Sequence, residues 1–390
     1  MTHDSNRFRL RLSAPALALV LAAARASGGT PVLVVRTPDD GIQPQAAVDA
    51  RGALHVIYLK GDPAAADVFY VRREPGSERW TAPLRANSRP GSAIATGTVR
   101  GPHVALGKGD RVHVAWMGSQ SAEPRGPGGA TPMLYARLDD AGARFEPERN
   151  VMQFAVGLDG GASVAADRSG SVYVVWHAGA GARGEAARRV WVARSDDEGK
   201  SFAREVSVGG EATGVCGCCG MRAFADPAGR LFLLYRAATE EVHRDMILMS
   251  GGSGAGAFRT TRVAEWTLRA CPMSTAWLSR SSAGVVLGWE TAGQVFYSVL
   301  EPASGALSAP TSAPEEGGKR RHPAVAANAR GETLLVWSEG TGWNRGGSLA
   351  WQLFDRERRP AGEKGEAPAL PVWDLAAAVA LPDGRFVIVY

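Results

Sequence analysis

The chain has 390 residues, of which 45% are hydrophobic and 21% charged. Its 48 Gly and 23 Pro make 71 residues, about 18%, above the usual share but below the roughly 25–30% of disordered chains. This composition excludes a collagen, a coiled coil and a polyelectrolyte tail.

The first segment has its own character. Arg7, Arg9 and Arg11 make a basic start, Ala14–Ala24 is an apolar run, and Ala24-Arg25-Ala26 places small residues at both A-x-A positions. This layout predicts a signal peptide over 1–26, cleaved near Ser27, and hence a secreted or periplasmic protein. The apolar run is barely half the roughly 20 residues a spanning helix needs, and no later stretch is long enough. No transmembrane segment is expected after signal removal. Residues 1–26 hold four Arg and one Asp, and without them 40 Lys+Arg face 38 Asp+Glu. The sequence pI near 9.2 is therefore largely a property of the leader. No basic stripe interleaved with aromatics occurs, so nucleic acid is not an expected partner.

After the leader comes an apolar strand, Pro31–Arg36, and then a repeat. A short apolar strand, a tight turn and a strongly apolar second strand recur at Ala46–Tyr58, His103–Trp116, Ser163–Trp176, Arg222–Tyr235, Thr275–Trp289, Pro323–Trp337 and Ala377–Tyr390. Asp167 and Asp226 are 59 residues apart, and Asp49 lies twice that distance before Asp167. Fixed spacing on this scale indicates a solenoid or propeller. The Asp-x-x-Gly turns call for hairpin geometry in which Gly takes positive φ. Third strands follow at Val68–Arg72, Met133–Arg137, Arg189–Arg194 and Gln294–Val299. The expectation is an all-β chain with one domain over 27–390, a β-propeller of seven four-stranded blades. The N-terminal strand should join the last blade and close the ring; six blades result if the last hairpin joins an existing one.

Ser195-Asp-Asp197-Glu-Gly199-Lys-Ser201-Phe202 follows a third strand and matches the pattern S-x-D-x-G-x-[ST]-[WF]. Looser copies stand at Leu138–Phe145 and Ser250–Phe258. On these motifs the chain resembles the sialidase superfamily of Asp-box (BNR-repeat) propellers over most of its length. It looks most like exported bacterial sialidase-like proteins with a Cys-x-Cys-Cys loop and a later Cys-Pro. The resemblance implies a structural role for Ser195, Asp197, Gly199 and Phe202. It also implies exo-α-sialidase-type glycoside hydrolysis by an arginine triad, a Tyr–Glu pair and an Asp. The family's [FY]-R-I-P segment has its nearest match in Val35-Arg36-Thr37-Pro38, without the aromatic and the Ile.

Blade topology sorts the polar residues. The Asp-box lies in a turn between strands three and four, so it marks one face. Residues just before strand one or just after strand two gather at the opposite mouth, on loops of a rigid ring. The catalytic candidates there are Arg100, Arg236, Glu290, Arg321 and Glu339. The ligand-binding candidates are His103, His177, Arg222, His322 and Asp374. Cationic groups beside carboxylates suit an anionic ligand, a glycan for preference.

All four cysteines fall in two mouth loops, Cys216, Cys218 and Cys219 in one and Cys271 in the next, with Met221 and Met273 beside them. An even count in an exported protein predicts disulfides, one within the first loop and one to Cys271. The same sulfurs also compose a soft-metal site for copper or a labile redox pair. The alternative function is a non-catalytic envelope platform binding a protein partner, or copper or thiol-redox chemistry at the cysteine loops. His55 and His113 lie on strands and read as packing residues, as do Trp116, Trp176, Trp289 and Trp337.

Overall fold

The computed structural model describes residues 30–390 apart from 180, 182, 210–213, 253–257 and 316. The expected leader lies outside the described residues, and the copy at Ser250–Phe258 does so in part. Seven antiparallel sheets form a ring of seven blades. Their innermost strands are Ile42–Val48, His103–Leu106, Ala162–Ala166, Arg222–Ala225, Trp277–Ser281, Arg320–Ala327 and Ala377–Ala380. The first six blades continue outward to at least four strands. The last has three: Ala377–Ala380 pairs antiparallel with Phe386–Val389, and Val32–Val35 adds on parallel to it. The first strand thus closes the ring as expected, with Thr37 N donating to Tyr390 O at 2.7 Å and Tyr390 N to Val35 O at 3.1 Å.

Second strands are packed on both faces by neighbouring sheets, which is why they read as continuous apolar runs. Every residue of Val112–Met117 and of Leu231–Arg236 is buried. Trp116, Trp176, Trp289 and Trp337 are among the largest fully buried side chains. His55 and His113 are buried too, their Nδ1 atoms 2.8 and 2.7 Å from the hydroxyls of Tyr70 and Tyr135 one strand outward.

The turns between first and second strands are capped by the repeating acid. Asp167 Oδ1 accepts from the N–H groups of Ser169, Gly170 and Ser171, and Asp226 Oδ1 from Ala228 and Arg230. The Asp-box segment forms a second such device. Ser201 N and Ser201 Oγ donate to Asp197 at 2.9 and 2.6 Å, Ser195 Oγ donates to it at 2.7 Å, and Gly199 N donates to Ser195 Oγ at 2.8 Å. Burial acts to raise the Asp197 pKa, but these donors outweigh it and hold it at about 2. Phe202 packs edge-on against Tyr135 of the previous blade, 4.8 Å between centroids. The looser copy differs. There Asp139, not Asp140, caps the turn, and Asp140 reaches out to Arg111. Glu198 N donates to Gly170 O, so the Asp-box does share a face with the first-to-second turns.

Around the axis the inner strands enclose a funnel of about 640 Å³, running out to the turn residues Asp49, Asp167, Pro227 and Pro382. Among the described residues no helix is long and apolar enough to cross a membrane.

Candidate functional site

The mouth end of the axis is closed by side chains. Arg222 lies buried over Trp277, 4.1 Å from its ring centroid, donates to Gln45 Oε1 and stands 3.1 Å from His103 Nδ1. It has no ion pair among the described residues, and burial lowers its pKa to about 9. The cavity left beside these groups is about 20 Å³, the size of one water. The channel is therefore plugged here, and the wide funnel opens on the other face.

Above the plug lies a second small cavity, about 30 Å³. It is lined by Arg100, Cys218, Met273, Arg321, His322, Trp343 and Trp373 among others. Two ligand-seeking groups meet there. Arg321 makes no ion pair or side-chain hydrogen bond among the described residues. Trp343 is 45% exposed and packs edge-on against Trp373 at 6.3 Å, whose buried Nε1 has no partner among the described residues. Gly97, at φ 80°, leaves room for Arg100 and Trp343: a Cβ there would lie 2.9 Å from Arg100 Nη1 and 3.1 Å from Trp343. Gln43, Met273, His322 and Trp373 hold φ of 54°, 49°, 50° and 63°. Left-handed backbone at four non-glycine residues marks strain around a mouth that the ring over-determines.

Beside this cavity, on blades three and four, a groove of about 520 Å³ is lined by Asp159, Arg183, Glu185, Arg188 and Gly217 among others. Arg100 joins the two, donating to Asp159 Oδ1 at 2.7 Å.

The five catalytic candidates do not converge on one point. Arg100 is paired with Asp159, and Arg321 is unpaired. Glu339 binds Arg320 Nε at 3.2 Å and Trp337 Nε1 at 2.8 Å. Arg236 and Glu290 are both buried, and they meet through backbone: Arg236 donates to the carbonyls of Arg244 and Glu290, while Glu290 Oε1 accepts from Gly293 N. Among the ligand-binding candidates, two are engaged inside the protein. His177 Nε2 stands 3.1 Å from Cys219 O, with Arg188 on Nδ1 at 2.9 Å. Asp374 Oδ1 accepts from Gln43 N and Leu375 N at 2.6 and 2.8 Å. His103 and Arg222 belong to the plug, and His322 lines the cavities above and below it. Arg36 is turned to the carbonyls of Pro368 and Ala369 and the ring of Tyr390.

The cysteine loops do meet. Gly220 N donates to Ser274 O at 2.8 Å, tying one loop to the other. Cys216 Sγ lies 2.7 Å from Cys219 Sγ and 3.5 Å from Cys218 Sγ. Cys218, Cys271 and Glu185 bring their ligand atoms within 4.8 Å of one another. The expected disulfides are absent: all four cysteines are free, and Cys216 and Cys219, at 2.7 Å, stand beyond the roughly 2.05 Å of a bond. Burial acts to raise the Cys219 thiol, but hydrogen bonds from Cys216 and Cys218 and the charge of Arg236 hold it well below the ordinary range. Met221 sits in the apolar core with Val215 and Tyr235, not at the sulfurs. Glu185, Arg188 and Arg244 escaped the sequence reading. The first two follow strand two of blade three at a distance, and only the fold brings Glu185 to Gly217 N at 2.6 Å and Arg244 Nη1 at 2.6 Å.

No family model and no curated protein matches the chain. Solved structures with the same fold do. A polysaccharide lyase, an ulvan lyase, superposes with TM-score 0.55 at 13% identity, covering 89% of this chain and 90% of the other. A fungal alcohol oxidase in complex with copper gives 0.51 at 12%, covering 89% and 69%. A leech intramolecular trans-sialidase complexed with 2,7-anhydro-Neu5Ac gives 0.50 at 10%, covering 85% and 79%. At these identities the likeness is one of fold.

Proposed function

We propose that this propeller is an exported protein that binds an acidic glycan at its mouth. The observation that carries the reading is the cavity that holds unpaired Arg321 beside the half-exposed Trp343–Trp373 pair. A guanidinium takes a sugar carboxylate or sulfate through paired charge-assisted bonds. An exposed indole face next to it suits the apolar side of a pyranose ring. The neighbouring groove, with Asp159, Arg183, Glu185 and Arg188, offers room for further sugar units. Propellers of this fold include a polysaccharide lyase and a trans-sialidase, which supports a carbohydrate ligand. Hydrolysis of a sialoside is the implied chemistry, with Arg100 and Asp159 as the groups nearest the ligand; no Tyr–Glu pair is assigned to it.

Trp fluorescence titration with sialylated, uronate-containing and neutral oligosaccharides tests this. Saturable quenching by acidic oligosaccharides alone is expected. Arg321→Ala should weaken it by about 10- to 100-fold, the worth of one charged hydrogen-bonded contact. Equal binding of neutral sugars, or none of any, overturns the reading. Release of product from a fluorogenic sialoside separates an enzyme from a binder.

A further inference from the structure

The four thiols are not explained by the mouth. Cys216, Cys218 and Cys219 place three sulfurs around one point, and Cys271 stands beside Cys218. The nearby hard or imidazole donors are already engaged. Glu185 is held by Gly217 N and Arg244, and both His177 nitrogens have partners. What remains free to bind is sulfur, with the thioether of Met273 sharing a cavity with Cys218.

The charge around the sulfurs points the same way. Arg236 is 1% exposed, its Nη atoms held only by carbonyls, and its Nε is without a partner among the described residues. The Nε of Arg244 is unpartnered too. Arg188, Arg236 and Arg244 each act electrostatically on Cys216 or Cys219, while Asp159 and Glu185 act on Arg188 and Glu185 also pairs with Arg244. A buried guanidinium without an anion is costly. Anionic sulfur supplies what Arg236 lacks among the described residues.

We propose that Cys216, Cys218 and Cys219 form a three-thiolate site for monovalent copper, with Cys271 and Met273 at its outer side. Soft thiolates favour Cu(I) over harder divalent ions. Three thiolates and one Cu(I) carry net negative charge, set beside the buried guanidinium of Arg236. Each binding thiol loses its proton to solvent, and the ion enters and stays as Cu(I), so no oxidant or reductant is consumed.

The test uses the full chain, reduced and handled without oxygen. It is titrated with Cu(I) against a chromophoric Cu(I) chelator, in parallel with Zn(II), and the loaded protein is examined by X-ray absorption. One equivalent of Cu(I) in a shell of three sulfurs is expected, with Zn(II) bound far more weakly. Cys218 is half-buried, so Cys218→Ser should still fold, which the metal-free melting temperature checks. It should lose more than the roughly 10–100-fold that a change beyond the ligand shell costs. Cys271→Ser, beyond the ligand shell, should cost no more than about 10–100-fold. Failure to bind Cu(I) after reduction, equal affinity for Zn(II), or an unchanged Cys218→Ser overturns the proposal. Arg321→Ala should leave copper binding intact, which separates this site from the glycan mouth.

Discussion

His177 and His322 stand at the mouth as neutral, buried rings, and His103 as a half-buried one. Burial, with Arg222 beside His103, Arg188 beside His177 and Arg321 beside His322, lowers all three pKa values, to about 3 for His177 and His322. Unfolding frees each ring to take a proton near its ordinary value of 6.5. The unfolded chain then binds more protons, so their stabilising share is complete above pH 6.5 and is lost as pH falls toward 3. Thermal melts should show a midpoint that drops steadily between pH 6.5 and 4. Asp374 works in the opposite sense. Burial pushes its carboxyl up to about 7 against the backbone N–H groups that lower it. The native state then holds the extra proton, and stability is lost as pH rises from about 4 through 7. Asp374→Asn keeps the acceptor oxygen and removes the charge. It should therefore be more stabilising at pH 8 than at pH 4, by on the order of 1.4 kcal/mol per pH unit of the window. A pH-independent difference from wild type in denaturant melts would contradict this. The placement of such residues at the mouth was legible from strand order alone. Their partners were not: Asp374 meets Gln43 and Arg222 meets Gln45 across more than 170 residues, and no local pattern encodes that.

Among the elements, the hairpins were the most legible, because Asp caps and Gly turns act within four residues. The two-residue outer strands Leu84–Arg85 and Arg149–Asn150 were not, since so short a strand has no period to detect. The Asp-box turn gives a sharp test. Gly199 has φ 79°, and a Cβ there would run into the Tyr135 hydroxyl. Gly199→Ala should cost about 2 kcal/mol or more in denaturant unfolding, from strained backbone and overpacking together. Asp197→Ala removes the acceptor of three donors and should cost a similar amount. In the looser copy, Asp139→Ala should destabilise while Asp140→Ala changes little, because the cap and the matched position differ there. The buried Trp176 marks the other extreme, a packing position whose replacement by Ala should cost about 3–5 kcal/mol.

At the scale of the molecule, blade number and closure followed from the repeat, whereas the position of the 640 Å³ funnel did not. It opens on the turn face, because Gln45, His103 and Arg222 fill the axis at the mouth and the small residues of the inner strands leave space beyond them. The ring depends on Val32–Val35, which lies about 350 residues from its partner Phe386–Val389. Deleting 30–36 leaves a bare edge on Phe386–Val389 and should convert a single sharp melt into an earlier, broader one with aggregation. An unchanged melting curve would show that closure rests elsewhere.

That clasp also dictates a sequence of events during synthesis. Val32–Val35 has to stay unpaired until the seventh blade exists, since its mate follows about 350 residues later. Six sheets stack from local contacts while both rims of the growing arc stay open and sticky, and loop closure over such a distance is slow. Holding the leading strand apart until then is a natural task for whatever escorts the nascent chain. Circular permutants that begin at the first turn of another blade should fold faster, because their last partner is no longer the most remote one.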